Sequence, residues 1–142
     1  MRVVVDTNIL SALWGPDPNA SAGAQVALDQ SSVLGTLVIP APVYAELRAA
    51  PGRSENDLDK FLDDTLIEVD WHIPQAAWKL AGSAFASHAA RRRKNRLPGP
   101  RRILADFVIG SYALHHGYRL LTLDKGLYRA SFPKLKVLTP AL

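Results

Sequence analysis

Four acidic residues stand where a folded chain could bring them together for chemistry. Asp6 directly follows a run of three valines, and Asp124 follows the largely apolar run 119–123. Such runs predict short strands buried inside a parallel sheet. Glu46 and Asp106 lie between them in apolar surroundings. Because ligands of open α/β sheets bind beyond the carboxyl ends of strands, the two strand-ending acids are candidates for one site.

Each acid taken alone also has a simpler explanation. Asp6 could N-cap a helix that begins near Ile9, and Glu46 could be an acid that the helix dipole favours. Asp106 is harder to explain in this way, because its neighbours in residues 103–109 are mostly apolar and an unpaired buried carboxylate is very costly. Dipole stabilisation of roughly 0.3–1 kcal/mol would not offset that cost. We therefore interpret Asp106 as a site residue.

The elements that must position these acids alternate between strands and helices, which predicts an α/β fold with a mainly parallel sheet. Strands are predicted at residues 3–5, 34–39, 66–71, 119–123 and 135–138. Helices are predicted at residues 9–14, 20–30, 54–64, 74–93, 103–116 and 127–130, with one more around Glu46. We expect one domain over residues 1–142.

Local signals mark some helix ends. Ser54 and Asp57 have the spacing of a capping box, and Gly117 is expected as the C′ residue of the helix that carries Asp106. The three tryptophans are expected in the core or in an interface; they are Trp14, Trp71 and Trp78.

Composition argues against several function classes. The chain has no cysteine, which leaves no disulfide framework or thiolate chemistry and fits a cytoplasmic location. The first predicted strand begins directly after Arg2, so we expect no signal peptide. No apolar run approaches the roughly 20 residues of a membrane helix, so we expect no membrane partner. The net charge of +4 is compatible with a polyanionic partner.

The four acids require an explanation of their shared charge if they meet at one end of the sheet. Carboxylates that lie close together repel, and a hard divalent cation removes that conflict. An all-oxygen ligand set favours Mg²⁺ or Mn²⁺ over zinc. Such a cation suits phosphodiester cleavage, because it can generate hydroxide near neutral pH and stabilise the leaving group.

The ordered set of motifs resembles the PIN domain, a metal-dependent nuclease fold, and most of all its VapC-type toxins. The matching segments are Asp6-Thr7-Asn8, Tyr44-Ala45-Glu46-Leu47, residues 105–110 and residues 121–124. They follow the family's order over nearly the whole chain. The resemblance implies a three-layer α/β/α sandwich that cleaves RNA with a metal.

The resemblance also implies roles for the acids. Asp6 and Asp106 are expected to be metal ligands, and Glu46 and Asp124 to be supporting ligands or anchors of water. One metal or two would satisfy this pattern.

The same motifs contribute polar residues that are expected to support the site, namely Thr7, Asn8 and Thr122. Asn8 is expected to hold either the Asp6 carboxylate or a neighbouring loop. The resemblance further implies a small antitoxin protein as partner and a homodimer.

A strongly basic segment leads into the helix of Asp106. It has seven Arg or Lys residues among residues 91–102. Cationic side chains at the edge of the cleft could bind RNA phosphates without recognising sequence; the candidates are Arg91, Arg92, Arg93, Lys94 and Arg96. A solvated charged face is the alternative.

Three other functions agree less well with the sequence. A haloacid-dehalogenase-type phosphatase needs a second Asp two positions after the first, where this chain has Asn8. A response-regulator receiver needs paired acids after the first strand and an Asp ending a middle strand, and neither is present. The third is a degenerate PIN module that binds RNA or a protein without cutting, and the four intact acids argue against it.

Overall fold

The computed structural model describes residues 1–95 and 104–140. In this part of the chain, five strands form one sheet and seven helices surround it. The strands are β1 (Arg2–Val5), β2 (Thr36–Pro40), β3 (Glu68–Asp70), β4 (Arg119–Leu121) and β5 (Val137–Leu138). The helices are α1 (Thr7–Leu13), α2 (Pro18–Leu34), α3 (Ala41–Ala49), α4 (Glu55–Thr65), α5 (Gln75–Lys94), α6 (Leu104–His116) and α7 (Lys125–Ser131).

The sheet has the strand order β3-β2-β1-β4-β5, and every pairing is parallel. The chain builds outward from β1 to β3, then returns to place β4 on the other side of β1. Since crossovers are almost always right-handed, connections running in opposite directions put their helices on opposite faces. This is the three-layer α/β/α sandwich that the sequence predicts. The topological switch point lies between the neighbouring strands β1 and β4. Folds of this kind bind ligands at the carboxyl ends of the two strands that flank this point.

The valine run fills the centre of the sheet. Val3, Val4 and Val5 are all fully buried, and β1 lies between β2 and β4. Burying each such side chain contributes about 1.5–3 kcal/mol. The predicted two-sided burial is confirmed, and β1 ends at Val5, directly before Asp6.

Helix α6 is anchored by its apolar length and by its end. Its residues from Phe107 to Ala113 are buried. It ends in a Schellman motif, in which Gly117 has a φ of 71°. The Gly117 N–H donates to the Leu114 carbonyl at 3.1 Å, and the Tyr118 N–H donates to the Ala113 carbonyl at 2.9 Å. The predicted role of Gly117 is confirmed.

The capping box of α4 is also confirmed. The Asp57 N–H donates to Ser54 Oγ at 3.1 Å, and the Ser54 N–H donates to Asp57 Oδ2 at 3.4 Å. Leu58 and Leu62 are buried one turn apart on the same face of α4.

The predicted strand at 34–39 is wrong at its start, because α2 continues to Leu34 and β2 begins at Thr36. Gly35 separates them. A Cβ at Gly35 would overlap the backbone oxygen of Met1, so glycine alone lets the two segments pass this closely.

Three further strands are shorter than predicted. β4 ends at Leu121 rather than at residue 123. β3 does not include Leu66, which takes the left-handed conformation (φ 58°) that ends α4. β5 does not include Leu135, whose N–H donates to the Phe132 carbonyl in a turn. No helix within residues 1–95 and 104–140 has the length and hydrophobicity needed to cross a bilayer.

Candidate active site

A cleft of about 330 Å³ opens at the carboxyl end of the sheet, beside the β1–β4 switch point. All four predicted acids line it, namely Asp6, Glu46, Asp106 and Asp124. They come from the end of β1, from α3, from the first turn of α6 and from the start of α7. The structure therefore brings together four residues that are separated by up to 118 positions (124 − 6) in the sequence.

Asp6 is the most constrained of the four, with 4% of its surface exposed. Its Oδ1 accepts the Thr7 N–H at 2.8 Å. Its Oδ2 accepts the hydroxyls of Thr122 at 2.8 Å and of Tyr128 at 3.0 Å. Burial raises the pKa of Asp6, the hydrogen bonds offset part of that rise, and the Glu46 charge adds to it. The carboxylate is thus desolvated and held in one orientation.

Thr122 connects Asp6 to the loop between β4 and α7. Its Oγ1 donates to Asp6 and accepts hydrogen bonds from Asn8 Nδ2 at 3.2 Å and the Asp124 N–H at 3.0 Å. Asn8 Oδ1 accepts the Leu123 N–H at 3.1 Å. Of the two roles expected for Asn8, the contacts match the second: it holds the neighbouring loop and reaches Asp6 only through Thr122.

Glu46 is held by the residue next to Asp6. Thr7 Oγ1 donates to Glu46 Oε1 at 2.6 Å. The first turn of α3 contains no acid, and the helix dipole acts mainly within that turn. The dipole explanation for Glu46 therefore has little support, whereas its contact with Thr7 directs it into the cleft.

Asp6 and Asp124 both cap helices, and both still line the cleft. Asp6 is the N-cap of α1, which begins at Thr7 rather than near Ile9. Asp124 is the N-cap of α7, and its Oδ1 accepts the Leu127 N–H at 3.2 Å. Capping fixes the position of each carboxylate at the rim of the sheet, so the two roles are compatible.

Three residues that line the cleft were not predicted from the sequence, namely Ser11, Leu127 and Tyr128. Tyr128 is fully buried, and burial followed by the Asp6 charge raises the pKa of its hydroxyl, which keeps it a donor. Helical spacing could have revealed it, because residues four apart share a face of a helix and Tyr128 stands four positions after Asp124.

The basic segment is only partly exposed. Arg91, Arg93 and Lys94 are exposed in the last turn of α5. Arg92 is buried, so its predicted place on an RNA-binding surface is not supported. Arg96 lies outside the described residues.

A larger groove of about 920 Å³ runs beside β3, away from the four acids. Three of the four acids that line it, Asp59, Glu68 and Asp70, are engaged in structural contacts. Asp59 and Asp70 accept tyrosine hydroxyls at 2.7 and 2.6 Å, and Glu68 pairs with Arg2 at 3.2 Å. We therefore place the candidate chemistry in the smaller cleft.

The cleft fits a hard cation by its donor chemistry. Within residues 1–95 and 104–140, no group of three or more His, Cys, Asp or Glu side chains forms a ready-made metal cage. Mg²⁺ does not require one, because it usually keeps several waters and is held by one or two carboxylates. The raised pKa of Asp6, with burial and the Glu46 charge among its causes, marks a position where a cation would be favourable.

The chain belongs to the PIN-domain family, whose model matches residues 3–133. A comparison with curated proteins gave no match. Among solved structures, this chain resembles VapBC-1 from nontypeable Haemophilus influenzae, with 21% identity, 98% of each chain covered and a TM-score of 0.68. FitAcB from Neisseria gonorrhoeae has 22% identity, 96% of each chain covered and a TM-score of 0.64. A toxin–antitoxin complex from Klebsiella pneumoniae has 21% identity, 98% of each chain covered and a TM-score of 0.62.

Proposed function

We propose that this protein is a Mg²⁺- or Mn²⁺-dependent endoribonuclease and the toxin component of a toxin–antitoxin pair. The observation that carries the proposal is the convergence of Asp6, Glu46, Asp106 and Asp124 on one cleft at the switch point of the sheet. Membership of the PIN family supports a nuclease, and the similarity to toxin–antitoxin structures supports the toxin role.

In this proposal Asp6 and Asp106 hold the cation. When bound, the divalent metal supplies a nucleophile near neutral pH and stabilises the leaving oxygen. Asp6 is already desolvated and oriented by its hydrogen bonds. Glu46, held by Thr7, and Asp124, held by the start of α7, are supporting ligands of the cation or anchors of water in the cleft.

A small antitoxin and a second copy of the chain complete the proposal as protein partners. The Klebsiella structure is a toxin–antitoxin complex. Two of the three tryptophans are exposed, Trp71 at 64% and Trp78 at 47%. The core alternative is therefore wrong for these two residues, and the interface alternative stays a prediction. A neighbouring gene that encodes a short DNA-binding protein would support the proposed antitoxin partner.

RNA cleavage is expected to require Mg²⁺ or Mn²⁺ and to stop in excess EDTA, because the described lining of the cleft has four carboxylates and neither a cysteine nor a histidine. The measurement is the rate of cleavage of total RNA on a denaturing gel, before chelation, after chelation and after Mn²⁺ is restored. Protein carrying Asp6→Asn, purified in parallel, controls for contaminating nuclease. Full activity in EDTA would contradict the proposed metal requirement. RNA binding without any cleavage would favour the degenerate PIN module.

Replacing Arg91, Arg93 and Lys94 together by Gln is expected to weaken RNA binding and flatten its dependence on salt. Each lost phosphate contact on single-stranded RNA lowers the slope of log K against log salt by about 0.7. The measurement is RNA affinity at several salt concentrations, by fluorescence anisotropy with EDTA present to prevent cleavage.

The matched control for this variant removes the same charge elsewhere. Lys79, Lys134 and Lys136 are also exposed, and their replacement by Gln should leave the salt slope closer to that of the wild type. If the two triple variants have equal salt slopes, the end of α5 is a solvated charged face rather than an RNA-binding surface.

A further inference from the structure

We propose that Tyr128 is a positioning residue, which holds the Asp6 carboxylate in the orientation that cation binding requires. This inference rests on the proposed function. Tyr128 is fully buried on α7, and its hydroxyl donates to Asp6 Oδ2 at 3.0 Å. A buried tyrosine hydroxyl usually has a partner, and here the partner is a candidate metal ligand that stands 122 positions away.

The contact limits how Asp6 can turn. The Oδ2 atom accepts two hydroxyls, from Thr122 and Tyr128, and the Oδ1 atom accepts the Thr7 N–H. An ionised carboxylate has roughly four acceptor positions, so three are filled by the protein. A cation that binds Asp6 then meets a carboxylate with one defined direction of approach.

The ring of Tyr128 reaches this place because α6 lacks a side chain at Gly110. A Cβ at Gly110 would overlap the Phe132 ring and lie 3.1 Å from Cδ1 of Tyr128. Gly110 stands one helical turn after Asp106, on the same face of α6. Helix α6 therefore carries the candidate ligand Asp106 and also packs against Tyr128, which orients the other candidate ligand, Asp6.

Partners that orient a ligand from behind affect metal affinity, and their loss typically costs 10–100-fold. A tyrosine that only fills the core would instead affect stability and leave metal affinity unchanged. The two explanations therefore predict different results for a variant that removes the hydroxyl and keeps the ring.

The test compares Mn²⁺ binding by wild-type protein and by Tyr128→Phe, using calorimetry and the Mn²⁺ electron paramagnetic resonance spectrum. We expect affinity to fall about 10-fold or more and the spectrum of the bound ion to change. The matched control is Tyr112→Phe, which removes a hydroxyl that donates to Asp70 at 2.6 Å, outside the cleft. Its Mn²⁺ affinity should equal that of the wild type.

Equal affinity of Tyr128→Phe and wild type would overturn the inference, even if the variant melts at a lower temperature or cleaves more slowly. An equal loss of affinity in both Tyr→Phe variants would also overturn it. Absence of Mn²⁺ binding by wild-type protein would overturn the proposed metal and this inference with it. Melting curves verify folding before titration, and Tyr128→Met replaces the Phe variant if that variant does not fold.

Discussion

Cleavage of RNA by the Asp6→Asn variant is expected to fall more than about 100-fold, because loss of an outer partner alone costs about 10–100-fold and Asp6 is a proposed direct ligand. Asparagine keeps the shape of the side chain but removes its charge. The measurement is the initial rate of RNA cleavage in saturating Mn²⁺. A variant that cleaves at the wild-type rate would contradict the role of Asp6.

The metal-free stability of this variant separates a site residue from a scaffold residue. Burial raises the pKa of Asp6, so the fold binds a proton at Asp6 more tightly than the unfolded chain does. The stability that Asp6 contributes is therefore greatest below its unfolded pKa and falls as pH rises through its folded pKa. The melting temperature of Asp6→Asn relative to wild type should rise over that same interval, because only the wild type acquires the buried charge.

Asp70 supplies a matched control with the opposite sign. Burial raises the pKa of Asp70, but hydrogen bonds from the Tyr112 hydroxyl and the His72 N–H outweigh it, so the pKa lies below its ordinary value. Asp70 therefore stabilises the fold above its unfolded pKa, and this contribution is lost as pH falls through its folded pKa. Asp70→Asn should lower the melting temperature at neutral pH and leave cleavage unchanged. The same trend with pH in both variants would contradict this assignment.

The acids of the cleft could be predicted from sequence because their signals are local. A valine run followed by Asp6 marks the carboxyl end of a buried strand, and the apolar surroundings of Asp106 argue against an ordinary surface acid. Their order along the chain then matches one family. The capping box at Ser54 and the C′ glycine at Gly117 were predictable for the same reason, since each depends on residues within one or two turns.

The remaining features depend on contacts between distant parts of the chain. Tyr128 shares a helix face with Asp124, but its contact with Asp6 joins residues 122 positions apart, and helical spacing does not show that pairing. The boundary between α2 and β2 is set by the passage of Gly35 against Met1. The exposure of Trp71 follows from its place after β3 at the edge of the sheet, and sequence pattern does not show whether an edge is covered.

Gly110→Ala is expected to lower the free energy of unfolding, although alanine is the better helix former by about 1 kcal/mol. The new Cβ would overlap the ring of Phe132 and crowd that of Tyr128. Both rings are buried, so moving either one would disrupt the packing around it. Overpacking of this kind costs about 1–3 kcal/mol and occasionally more, which outweighs the gain in propensity.

The matched control is Gly82→Ala in α5, where no atom lies within 4 Å of the new Cβ. Only the propensity gain of about 1 kcal/mol acts there, so the control should melt higher by about 2–4 °C. Thermal and urea unfolding of the metal-free proteins measure both variants against the wild type. If Gly110→Ala melts as high as Gly82→Ala, the rings of Tyr128 and Phe132 are not packed against α6, and this packing does not hold Tyr128 in place beside Asp6.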